Sequence, residues 1–268
     1  MRPEEYPAQE PFSSPARLYH DEVMKRGASV IEGKEHSYGP DPYQSVMIWN
    51  AQKPNGAMLA FIHGGGWTNG YKEWMAFMAP AFAEAGITFA SIGYRLAPQH
   101  VFPTGFDDVC MGVALVAKHA RSFGGDPLRI FVGGHSAGGH YAALMALTRS
   151  DIALRGCLPI SGVFDFGPQS ELKMRPRFLG PAESGNEGPA SPISNIGGKP
   201  GPFFIAHGSE DFPHLMSQSV RMEHALRAAG GEVERLVLQG RDHFTASYAG
   251  GESKGPWVPR AVEWILRH

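Results

Sequence analysis

Seven short runs rich in apolar and β-branched residues recur along this chain, with helix-periodic segments between most of them. The runs are Ser45–Trp49, Met58–Ile62, Ile87–Ile92, Arg129–Gly133, Gly156–Ile160, Phe203–Ala206 and Val233–Leu238. Their length and composition predict strands. Lys72–Ala85, Gly105–His119, Ala137–Thr148, His214–Ala229 and Val258–Arg267 read as helices. In the second of these, Phe106, Val109, Cys110, Val113, Val116, Ala117 and Ala120 recur at helical spacing, so one face is buried. Strands alternating with helices predict an α/β chain with a central, mostly parallel sheet flanked by helices. Ligands in such sheets bind beyond the carboxyl ends of the strands. Chemistry is therefore sought in the loops that follow strands.

Three such loops carry it. After the run ending at Gly133 comes Gly134-His-Ser-Ala-Gly138, and then a helix. A strand–turn–helix around G-x-S-x-G holds its serine in a strained turn with small neighbours, which marks Ser136 as a nucleophile. The first run after residue 57 leads into His63-Gly-Gly-Gly-Trp67. Consecutive glycines let backbone N–H groups converge on one point, as an oxyanion requires, and Gly65, Gly66 and Ala137 are the expected donors. No G-K-[ST] follows these glycines, so the loop is not read as a phosphate cradle. A serine hydroxyl needs a base, and the base needs an orienting carboxylate. Downstream, His207-Gly-Ser-Glu-Asp211 follows one strand and Gln239-Gly-Arg-Asp-His243 follows the next. Asp211 is the expected acid, with Glu210 as its rival, and His243 the expected base. Trp67 either walls an acyl pocket or simply packs. His135, beside the nucleophile, is a candidate substrate contact.

The balance of charge narrows the partners. With 24 basic and 26 acidic residues the formal charge is −2, which offers neither nucleic acid nor an anionic membrane an electrostatic footing. A small-molecule ester or amide suits such a surface better. No stretch approaches the length of a membrane span. Histidines and carboxylates lack metal-ligand spacing, so neither a metal nor another cofactor is expected. Cys110 and Cys157 stand apart without a CxxC pattern and are read as two buried thiols, which with the absence of an apolar leader favours a cytoplasmic location.

Two segments break the regular pattern. In the arm to about residue 41, Ser14 can cap a short helix that has Pro15 in its first turn and Gly27 at its end. Residues 164–200 are crowded with Gly, Pro and Ser, yet they also carry Phe166, Leu172, Met174, Phe178 and Leu179. Those apolar side chains favour a packed lid over a loose linker.

Taken together, HGGGW at 63–67, Tyr94-Arg-Leu-Ala-Pro98 with Phe102-Pro103 and Asp107-Asp108, and GGDPLRIFVGGHSAGG at 124–139 resemble the hormone-sensitive-lipase-like branch of α/β-hydrolases. The resemblance runs from about residue 43 to the end. It implies an α/β-hydrolase fold over residues 1–268 as one domain, the arm and the 164–200 insertion forming a small lid. It also implies a serine hydrolase of carboxylesterase type. GHSAGGH at 134–140, Ser161-Gly-Val-Phe-Asp165 and Asp242-His-Phe244 are similar to kynurenine formamidases, so arylformamidase activity is the alternative within hydrolases. A non-catalytic ligand receptor of the same fold is a further alternative. For Asp107 and Asp108 turn and capping roles are expected, without chemistry.

Overall fold

The computed structural model describes residues 2–168, 170, 172 and 176–268; Met174 of the expected lid lies outside them. Eight strands form one sheet: β1 (Lys34–Ser37), β2 (Ser45–Trp49), β3 (Gly56–Ile62), β4 (Thr88–Ile92), β5 (Gly125–His135), β6 (Leu154–Ile160), β7 (Phe203–Gly208) and β8 (Val233–Leu238). Their order is β1-β2-β4-β3-β5-β6-β7-β8. The first two pairings are antiparallel and the rest parallel. The helices are α1 (Ser14–Gly27), α2 (Ala79–Glu84), α3 (Thr104–Lys118), α4 (Ala137–Thr148), α5 (Glu187–Ala190), α6 (Pro213–Ala228), α7 (His243–Tyr248) and α8 (Val258–Arg267).

Between β3 and β5 the order of strands reverses: the chain runs outward from β3 to β4, then crosses back to β5 on the other side. Open α/β sheets bind ligands in the crevice at such a switch point. Ile62 at the end of β3 pairs in register with Gly134 near the end of β5, so the two glycine-rich loops emerge side by side. Register alone brings them together.

Apolar contact covers the sheet. Phe82 of α2 stacks on Phe89 of β4, and Trp264 of α8 packs on Phe131 of β5 and Phe204 of β7. All these side chains are buried. At about 25 cal/mol per Å² of apolar surface removed from water, such aromatics dominate what holds the layers together.

Several boundaries differ from expectation. The strand β1 falls inside the arm read as irregular: its sequence, Lys-Glu-His-Ser, has no apolar alternation because it is a short edge strand facing solvent. The helix expected over 72–85 divides into a 3₁₀ segment, Lys72–Met78, and α2, because Pro80 has no N–H to continue one ladder. The cap of α1 is Ser13, whose Oγ accepts from the Ala16 amide at 3.4 Å, one residue before the expected Ser14. Asp108 is no cap. It is buried in α3, where its carboxylate accepts from Gln44 and bidentately from Arg95.

Candidate active site

Ser136 occupies the turn between β5 and α4 with φ 55°, one of the few non-glycine residues at positive φ. Neighbouring backbone leaves no room for bulk there. A Cβ on Gly138 would lie 2.1 Å from the Ile62 carbonyl, so only glycine lets α4 start this close to β3. The turn is held by the Ser136 amide, which donates to the Ile160 carbonyl at 2.9 Å, and by His140 N–H donating to the Ser136 carbonyl at 3.0 Å.

The candidate base, His243, arrives from beyond β8. Asp242 caps α7, accepting from the amides of Phe244 and Thr245, and this sets the backbone of His243 at the helix start. The sequence placed His243 in a loop; the helix it begins is only six residues long and shows no apolar period. His243 Nε2 lies 2.9 Å from Ser136 Oγ, and its Nδ1 lies 2.9 Å from Asp211 Oδ1. An ionised carboxylate can only accept, so Nδ1 carries the proton and Nε2 turns a lone pair to the serine hydroxyl. Burial pushes the Asp211 carboxyl up, but the hydrogen bonds from His243, Ser161 and the Phe212 amide outweigh it and hold the group below the usual carboxylate range. Glu210, the rival acid, is exposed, and its amide donates to the Arg241 carbonyl.

The glycine-rich loop after β3 lies against this turn. Gly65 has φ 112°, and a Cβ there would lie 2.0 Å from the Asn69 carbonyl, which itself belongs to the turn that the Gly65 carbonyl closes by accepting from Thr68 and Asn69. The amides of Gly65, Gly66 and Ala137 donate to no partner among the described residues. A side chain on Gly66 would meet nothing within 4 Å, so open space adjoins the loop. His63 orients it: Nδ1–H donates to the Gly64 carbonyl at 2.7 Å, and the ring stacks on Tyr94. Burial pushes the His63 imidazole down to about 4, so it stays neutral.

Trp67 and His135 are both buried. The Trp67 ring stacks on Phe178 with centroids 4.2 Å apart and also meets Phe166. Its Nε1–H donates to His140 Nδ1 at 3.1 Å, and His140 Nε2–H donates to the Ala190 carbonyl at 2.7 Å. Burial pushes His140 down to about 3, which keeps both bonds possible. Phe166, Phe178 and Ala190 of the 164–200 segment, all buried, are thus fastened to the glycine-rich loop and to α4 beside it. His135 donates Nε2–H to the His243 carbonyl at 2.8 Å and lies between Tyr19 and the His243 ring. Its ring faces the backbone of the base.

Sequence reasoning missed two contacts here. Phe212, half exposed, lies against the His243 ring at 4.7 Å. Ser161 donates to Asp211 at 2.5 Å. Its place immediately after a strand, beside a glycine, was the available signal. Among the described residues no group of three His, Cys, Asp or Glu side chains gathers as a metal site.

With this geometry in place, comparison with known proteins assigns the family. A family model described as the alpha/beta hydrolase fold matches residues 59–247. The chain belongs to that family. Among its curated relatives, "Esterase LipC" of Mycobacterium tuberculosis is 32% identical over 235 residues, covering 77% of this chain and 58% of that protein. "Probable isoprenylcysteine alpha-carbonyl methylesterase ICMEL1" of Oryza sativa subsp. japonica is 38% identical over 243 residues, covering 77% and 55%. This α/β-hydrolase-fold chain therefore spans little more than half the length of these relatives. The solved carboxylesterase EstE1, from a metagenomic library, superposes with a TM-score of 0.76 at 20% identity, covering 94% of each chain, which shows the shared fold.

Proposed function

We propose that this α/β-hydrolase cleaves small carboxylic esters, or activated amides, through an acyl-enzyme on Ser136. One observation carries the reading: an unbroken hydrogen-bonded chain joins Ser136, His243 and Asp211 beside three backbone amides that have no partner among the described residues. His243 Nε2 takes the hydroxyl proton as Ser136 Oγ attacks the carbonyl carbon. The amides of Gly65, Gly66 and Ala137 receive the oxyanion, helped by the positive end of α4. His243 then returns its proton to the leaving oxygen or nitrogen, the C–O or C–N bond breaks, and water releases the acyl group by the same route. Asp211 holds the imidazole in the reactive tautomer throughout.

The relatives carry the names esterase and methylesterase, which supports an ester carbonyl over an aryl formamide. The intact Ser136–His243 contact argues against a receptor without chemistry. The arm and the 164–200 insertion act as a lid, and the wall of Trp67, Phe166 and Phe178 limits the group accepted beside the oxyanion loop. His135 supports the base. Cys110 and Cys157, buried and unpaired, fit the reducing cytoplasm, and no helix among the described residues is long and apolar enough to cross a membrane. The test is a panel of p-nitrophenyl acetate, p-nitrophenyl butyrate and N-formylaniline against wild type and Ser136→Ala. The variant should lose at least ~10⁴-fold in kcat on every substrate that wild type turns over. Retained turnover in Ser136→Ala would sink the proposal.

A further inference from the structure

A second serine beyond the nucleophile stands in strained backbone. Ser161 directly follows β6, has φ 51° and is fully buried. A serine in the left-handed region is disfavoured where glycine is at ease, and such strain persists at sites where the side chain is needed. The very next residue is Gly162, so a glycine here is no foreign element to this turn. The side chain kept at this cost is a hydroxyl, and it reaches one acceptor: Asp211 Oδ2, at 2.5 Å.

We propose that Ser161 is a positioning residue that fixes the Asp211 carboxylate for His243. The inference rests on the serine-hydrolase reading above. Asp211 Oδ1 is already occupied by His243 Nδ1–H and by the Phe212 amide at 2.7 Å. Oδ2 has Ser161 as its one donor among the described residues, and the Asp211 side chain has no exposed surface. Without that hydroxyl, a buried carboxylate oxygen loses the one hydrogen bond it accepts among the described residues, and the group gains by rotating away from the plane that suits the imidazole. The donor is rigidly placed. Ser161 N–H donates to the Ala206 carbonyl of β7 at 2.8 Å, and the following turn is pinned to α6 by the Gln218 side chain, whose Oε1 accepts from the amides of Phe164 and Asp165. Ser161 thus spans from the end of β6 to the acid that follows β7. Its bond orients one residue and touches no reacting atom.

Two variants of the full chain separate positioning from stability. Ser161→Ala removes the hydroxyl and keeps the strained φ; Ser161→Gly removes the hydroxyl and relieves the strain. With p-nitrophenyl acetate as substrate, kcat should fall about 10- to 100-fold in both, with KM within about twofold of wild type. The Tm of Ser161→Gly should lie at or above that of Ser161→Ala. If Ser161 were only structural, activity would follow Tm and Ser161→Gly would recover it. A Ser161→Gly kcat within about twofold of wild type overturns the proposal. Ser136→Ala, run alongside, keeps the two failures apart. An active Ser136→Ala refutes the hydrolase reading, whereas an inert Ser136→Ala beside a fully active Ser161→Gly refutes the positioning role alone.

Discussion

At the strand ends, atoms are placed by backbone; around Trp67, they are placed by side chains. Ser136 and Ser161 sit at positive φ, a Cβ on Gly65 would lie only 2.0 Å from the Asn69 carbonyl, and the three candidate oxyanion donors are main-chain amides. Trp67 shares the positive φ, at 63°, but its ring is set by a stack on Phe178 and by a bond to His140 that continues to Ala190. Backbone geometry resists repacking, because its alternatives break strand register or leave buried N–H and C=O groups unpaired. Aromatic packing tolerates exchange of similar volumes at modest cost. The same site therefore has a part that fixes the reaction and a part that can vary what enters.

Gly65→Ala gives the sharpest way to break this contrast. The added methyl collides with the Asn69 carbonyl and the φ of 112° suits no side chain, so the amide nest must deform. We expect kcat to fall by about 10²–10³ while circular dichroism stays folded; a loss under about tenfold would show that the loop's backbone is not what holds the donors.

Acid should reach both regions at once. Burial holds His63 at about 4 and His140 at about 3, one imidazole under the oxyanion loop and one behind Trp67. The unfolded chain protonates both near 6.5, so it binds more protons than the fold below that pH. The stability that depends on neutral imidazoles is fully present above about pH 6.5 and is lost as pH falls toward 4, approaching ~1.4 kcal/mol per pH unit for each histidine. Urea midpoints between pH 7 and 5 measure the slope, and His140→Gln should flatten it. A midpoint indifferent to pH in that range would contradict the neutral, buried assignment.

The smallest effect is expected in the wall. Phe178→Leu keeps an apolar filler while giving up the stack on Trp67, so stability should fall by ~1–2 kcal/mol. The ratio of kcat/KM for butyrate over acetate esters should rise a few-fold, with kcat on acetate nearly unchanged. A collapse of acetate turnover would place Phe178 on the reacting side.

The strand ends were the legible half of the molecule. Glycine strings and the serine turn announce themselves because only a few residues survive their dihedrals and close approaches, and the run before each string shows which strand delivers it. Asp211 and His243 were legible as well, since each follows a strand by a few residues. Ser161 was quoted in the sequence only as part of a resemblance; its place after a strand and beside a glycine marks a turn, but not the acid 50 positions later to which it donates. Phe178 could be read as apolar filling in an irregular insertion, but its partner Trp67 could not, nor the tie of His140 to Ala190, because no period constrains such a segment. β1 and the division at Pro80 failed for a related reason: edge strands and 3₁₀ turns carry little hydrophobic signature.

The separation of Ser136 from His243 by 107 positions has a consequence during synthesis. When the serine leaves the ribosome, neither its base nor the acid has been made, and the last two strands have yet to join the sheet. On the proposed reading, a partly translated chain is therefore chemically quiet, with an ordinary alcohol where the finished protein has a nucleophile.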